Sequence, residues 1–138
     1  MPTIYTLSAY ETSAQDFFES LRRHKTDLVL DVRLKNTNQL CGFTKRNDLA
    51  YLVPAITGAA YIHDVRFAPD EVLLERYLHK LCTWDEYCKA YQKQMRQPTR
   101  LSLFKSVYGS YKIISVLGTA TKNRRSHSEA LQLLLTRE

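Results

Sequence analysis

The sequence predicts an α/β fold, a single three-layer α/β/α domain over residues 1–138 with a mainly parallel sheet of about four strands flanked by helices. Three observations predict it. Short runs rich in β-branched and aliphatic residues alternate with segments of helical period. No Asn-Gly or similar hairpin signal joins one strand to the next, so the connections are read as right-handed crossover helices. The run DLVLDVR at Asp27–Arg33 is apolar almost without a break, as in a strand covered by helices on both faces.

Thr3–Leu7 (TIYTL) opens the chain as a strand. Ser13 and Asp16 have the spacing of a capping pair and predict a helix over Ser13–His24. Phe17, Leu21 and His24 share one of its stripes, and Arg22, Arg23 and Lys25 gather near its end, where cations suit the dipole. The second strand is Asp27–Arg33. Asp31 and Arg33 at its C-terminal end are two residues apart and share a face, either to serve a site or to pair with each other. Lys35–Arg46 is a polar loop with Asn36, Asn38 and Gly42. Leu49, Leu52, Val53 and Ile56 give helical spacing over Asn47–Ile56, capped by Gly58. Ala60–Asp64 (AYIHD) is the third strand.

Pro69, Asp70 and Glu71 start a helix that continues through Val72, Leu73, Tyr77, Leu78 and Leu81. Thr83 and Glu86 form a second capping pair before a helix through Met95. Its stripe of Trp84, Tyr87, Cys88, Tyr91 and Met95 reads as core, with ligand stacking by Tyr87 or Tyr91 as the alternative. Pro98 interrupts the pattern, Arg100–Val107 forms a further short helix, and Lys112–Leu117 (KIISVL) is the last strand. Ser126 and Glu129 again have capping-box spacing, so the last helix starts near His127 with Ala130, Leu131, Leu134 and Leu135 facing the core. The chain is read as having no internal repeat.

Hydrophobic content of 44% and charged content of 25% are those of a soluble globular protein long enough for one sizeable core. No apolar run approaches the roughly 20 residues that span a bilayer, and the N-terminus lacks a basic region followed by an apolar stretch. Cys41, Cys82 and Cys88 are odd in number and show no metal-ligand spacing, so they read as reduced thiols in the cytoplasm, with no metal or cofactor called for. The net charge of +6 is unevenly placed. Lys89–Arg125 holds nine basic residues and no Asp or Glu, leaving −3 on the rest of the chain. Such a window favours a polyanion or a phosphorylated ligand, unless it is only a solvated basic face.

The candidate site follows the last strand, where α/β proteins bind ligands outside the strand ends. A helix start favours an anion, and Lys122, Arg124 and Arg125 stand just before it. Thr119, Thr121, Asn123 and Ser126 complete the ligand-binding set as neutral groups, although the loop contains no GxxxxGK[ST] motif. The catalytic candidates are His127 or His63 as general acid/base, Asp31 to orient it, and Arg33 or Arg125 to stabilise negative charge. His63 also reads as a hydrogen-bonded structural residue.

Together, IYTL, DLVLDVR, Gly42-Phe43-Thr44-Lys45, AYIHD, WDEYCKAYQKQM and the final strand-loop-helix resemble the family catalogued as domain of unknown function 488, over almost the whole chain. The resemblance implies a compact bacterial or archaeal α/β domain. It matches Asp31-Val32-Arg33 to a recurring feature of the family, and His127 to a histidine at the start of the last helix. Many members carry Gly-His-Ser after the first strand, where this chain has Ser8-Ala9-Tyr10. Many also carry a cysteine after the last strand and Cys-His-Arg at the helix start, where this chain has Gly118 and Ser126-His127-Ser128. A weaker likeness to rhodanese domains implies no sulfur transfer, because Gly118–Ser126 contains no Cys to supply the thiolate. Three functions follow as expectations: a module binding a phosphate-containing ligand or nucleic-acid backbone at Thr119–Ser126, an enzyme at the same place, or a non-catalytic interaction protein.

Overall fold

The computed structural model of the chain describes residues 2–36, 39–97 and 99–137. The readings of Asn38 as a loop residue and Pro98 as a helix breaker lie outside these residues, as does the Cys41 side chain. Four strands, β1 (Thr3–Ser8), β2 (Leu28–Asp31), β3 (Ala60–His63) and β4 (Ile113–Gly118), pair in the order β1-β4-β2-β3, all parallel. Among the described residues, six α-helices connect or follow them: α1 (Ala14–Arg23), α2 (Arg46–Thr57), α3 (Glu71–Leu78), α4 (Trp84–Met95), α5 (Arg100–Tyr108) and α6 (His127–Arg137). The expected α/β class and parallel sheet are therefore what the chain adopts.

Local chemistry explains most element boundaries. The Ser13 side chain accepts from the backbone N–H of Asp16 and starts α1, and Thr83 and Glu86 form a full capping box on α4. Gly58 ends α2 in the left-handed conformation, at φ 75°, which glycine adopts at little cost. Asp27 sets the start of the sheet. Its carboxylate accepts the backbone N–H groups of Lys112 and Ile113, both at 2.9 Å, so β4 enters beside β2 in one register.

The strands alternate between two cores. Leu28, Leu30 and Val32 join Ile114 and Val116 under α4, α5 and α6, with Tyr91, Met95, Phe104, Leu131 and Leu134. Val29 and Leu117 point the other way, onto Phe17, Phe18 and Leu21 of α1 and Leu49 and Val53 of α2. This is the expected three-layer arrangement. Each such side chain contributes about 1.5–3 kcal/mol on burial. The aromatic stripe of α4 is core as read: Tyr87, Tyr91 and Met95 are buried. By contrast, α3 has no buried residue, and Val72 and Leu81 are largely exposed.

Gly118 is required for space rather than for backbone freedom. It has no positive φ, yet a Cβ there would lie 2.4 Å from Ser128 Oγ and 2.5 Å from Ser126 Oγ. Both serines are buried at the start of α6. Replacing Gly118 by Ala is expected to lower stability by about 1–3 kcal/mol, the usual result of overpacking, as measured by urea denaturation. An unchanged midpoint would show that the helix start yields.

Candidate functional site

The C-terminal edge of the sheet carries a cleft of about 210 Å³. Its floor comes from segments that follow three strands: Tyr10 after β1, Arg33–Lys35 after β2, and Thr119 and Arg124 in the loop after β4, with His127 at the start of α6. Its outer wall is α3, through Glu71, Leu74, Glu75 and Leu78.

Asp31 anchors the floor. It is wholly buried and accepts from Arg33 Nε at 2.8 Å, Arg33 Nη2 at 2.7 Å and the Arg33 backbone N–H at 3.2 Å. Tyr61 Oη and Asn36 Nδ2 donate to the same carboxylate at 2.5 and 3.1 Å. Burial by itself raises the carboxyl pKa, but Arg33, Tyr61 and Asn36 together outweigh it and hold Asp31 below its ordinary value. Arg33 Nη2 also donates to the Thr44 carbonyl at 2.7 Å, which ties the turn before α2 to the strand end. The pair is closed on itself, as in one of the two sequence readings, and Arg33 also lines the cleft.

His127 lies on the other face of the sheet. Its Nε2 is 2.7 Å from the Val32 carbonyl, and its ring meets Tyr91 edge-on at 5.4 Å. A carbonyl can only accept, so Nε2 carries the proton in the neutral ring. Burial pushes the His127 pKa down to about 4, against smaller upward effects of the Val32 hydrogen bond and the Asp31 charge. The expectation that Asp31 orients a catalytic histidine does not match this geometry. Asp31 follows Val29 onto the α1–α2 face, while Val32 and His127 belong to the α4–α6 face, and the Val32 carbonyl holds the ring. His63 also lies outside the cleft, with Nε2 2.8 Å from the Arg33 carbonyl.

The basic loop divides in the same way. Arg125 is not a mobile charge: it pairs with Glu129 at 3.2 Å and stacks on Trp84 at 4.7 Å. That pairing also removes Glu129 from the expected capping box. The Ser126 hydroxyl instead accepts from the N–H groups of Thr119 at 3.1 Å and Ser128 at 3.4 Å. With Ser126, His127 and Ser128 buried, the helix start faces inward, and the loop meets the cleft through Thr119 and Arg124. Thr121 and Asn123 line a second cavity beside it, and Lys122 is exposed. Three hydrogen bonds hold the loop to the end of β1: Ala9 N to Gly118 O at 2.9 Å, Ser8 Oγ to Ala120 O at 2.5 Å, and Lys122 N to Glu11 Oε1 at 2.7 Å.

Residues 13–135 match the family described as Domain of unknown function DUF488. The chain belongs to the DUF488 family. No curated protein and no solved structure matches it. Ser8–Tyr10, Gly118 and Ser126–Ser128, where the sequence reads as departing from the pattern the resemblance implies, meet at one place. Ser8 is in register with Gly118, and Gly118 packs on Ser126 and Ser128.

Sequence reasoning missed Tyr10, Leu34, Lys35 and the α3 wall. For the first three, the rule that placed Thr119 at a strand end applies equally to β1 and β2. It also missed a repeat. Asp64-Val65-Arg66 after β3 copies Asp31-Val32-Arg33 after β2. Asp64 accepts from the Arg66 backbone N–H at 3.0 Å and from its guanidinium twice at 2.9 Å, and Tyr108 donates to it as Tyr61 does to Asp31. Among the described residues, no group of three His, Cys, Asp or Glu is placed to hold a metal ion, and no helix is long and apolar enough to cross a membrane.

Two outcomes are expected. The Arg33 charge is buried whereas the Arg66 side chain is 48% exposed, so Asp31→Asn should cost about 3–5 kcal/mol in urea denaturation and Asp64→Asn clearly less. For His127, unfolded chains take up a proton as pH falls below 6.5 while the folded state resists until about 4. Stability should therefore drop across that window by about 3 kcal/mol and then level off. His127→Gln keeps a donor for Val32 but should flatten this part of the pH profile.

Proposed function

We propose that the chain binds a small phosphate-containing anion in the strand-end cleft, with Arg124 as its charged grip. The observation that carries this reading is the position of Arg124. It lines the cleft, it is half-buried, and among the described residues it makes no ion pair. A guanidinium so placed offers two parallel donors to a phosphate. Lys35 adds a second cation that Glu71 engages only loosely, at 3.7 Å and with both side chains exposed. The three hydrogen bonds to the β1 end hold the loop in the geometry that binding needs, which lowers the ordering cost.

The mixed rim favours a small anion over a nucleic-acid backbone. Glu71 and Glu75 on α3 face the cations across the cleft, so an extended polyanion would meet like charge, while a compact group held at Arg124 would not. Leu34, Leu74 and Leu78 leave room for an uncharged body attached to the phosphate. His127, fixed by Val32, serves this reading as a rigid wall rather than as an acid or base.

Arg124→Ala should weaken binding of a sugar phosphate by about tenfold or more, the effect of losing one charge-assisted interaction, as read by NMR titration. Raising the salt should weaken the wild type only mildly, because few counterions are released. Equal binding by the variant would refute the assignment.

A further inference from the structure

A second cavity of about 410 Å³ adjoins the cleft and shares Leu78 and Arg124 with it. Its character differs. Trp84 and Tyr77 supply aromatic surface, and Thr121, Asn123 and Lys80 supply polar groups around it. The aromatic wall is braced from behind. The Arg125 guanidinium covers Trp84, the Tyr77 hydroxyl donates to the Arg125 carbonyl at 2.9 Å, and Tyr77 stacks on buried Tyr87 at 4.1 Å. Rings held in this way are preorganised to receive another flat ring.

Arg124 is thus the hinge between a polar hollow at the strand ends and an aromatic one beside it. The cleft alone is smaller than the roughly 300–1,000 Å³ of typical small-molecule sites, and the two hollows joined fall within that range. We propose that the two form one site for a nucleoside monophosphate. The phosphate sits at Arg124 in the strand-end cleft, the base lies against Trp84 and Tyr77, and the Asn123 amide pairs with the edge of the base. This rests on the phosphate reading above and adds the ligand's second half. The chemistry is complementary at each end: a guanidinium for a dianion, and aromatic faces plus an amide for a ring bearing donors and acceptors.

Trp84 is the only tryptophan in the chain, so its fluorescence reports the second cavity directly. Intact protein is titrated with adenosine 5′-monophosphate, ribose 5-phosphate and adenosine, following Trp84 emission and, independently, the heat of binding. The expected result is that the monophosphate binds at least tenfold more tightly than ribose 5-phosphate and quenches Trp84. Asn123→Ala on the exposed loop should reduce that advantage, and Trp84→Phe should retain most of the affinity. If ribose 5-phosphate binds as well as the nucleotide, with no difference in emission, the base pocket is refuted and the phosphate site stands. If neither phosphate binds, both readings fall. If adenosine binds as tightly as its monophosphate, the role of Arg124 as phosphate grip is refuted.

Discussion

A charged carboxylate buried at the end of a central strand would be costly if left alone, by several kcal/mol even after relaxation. Asp31 occupies such a place, and the surrounding structure is arranged to hold its charge. Arg33 reaches back over a single residue to grip both oxygens, and Tyr61 and Asn36 occupy the remaining acceptor positions. The arrangement has consequences on both sides of the sheet. Arg33 continues to the Thr44 carbonyl and fixes the approach to α2, while Val32, facing the other way, offers its carbonyl to His127 and fixes the start of α6. One tripeptide therefore sets where Leu34, Lys35 and His127 stand, and these are three of the residues that shape the cleft.

The second Asp-Val-Arg shows how much of this is local and how much is context. The backbone N–H and guanidinium of residue i+2 close on the aspartate in both copies, so the turn that ends the strand is a property of the three residues. Burial is not. Arg33 is enclosed, whereas Arg66 lies half in solvent and Tyr108 ties Asp64 to α5. The same element thus ends β2 beside the cleft and ends β3 at a junction with α5. The difference arises from which neighbouring segments cover it.

This division between local and tertiary effects also explains what the sequence made legible. The strands, the parallel arrangement, the Ser13 and Thr83 caps and the start of α6 at His127 all follow from period and spacing, which are properties of a few adjacent residues. The pairing of Asp31 with Arg33 was visible for the same reason. The site was legible only in part. Its location at the strand ends and the presence of Thr119, Arg124, Arg33 and His127 could be read from topology. The wall supplied by α3 could not, because nothing in Glu71–Leu78 tells that the helix stands away from the core. Nor could the stacking of Arg125 on Trp84, which depends on α4 packing beside α6, although its i,i+4 pairing with Glu129 is a matter of local spacing.

The start of α6 shows how burial removes a histidine from acid/base chemistry. An acid/base histidine needs a ring that can gain and lose a proton near its working pH. His127 is instead held neutral by burial and locked by a backbone carbonyl on the face away from Asp31. Gly118, Ser126 and Ser128 close the space beside it so tightly that even a methyl group would collide. With the helix start turned inward, the loop meets the cleft through Thr119 and Arg124, the latter at the boundary between the two hollows. Arg124, which makes no ion pair among the described residues, lines both.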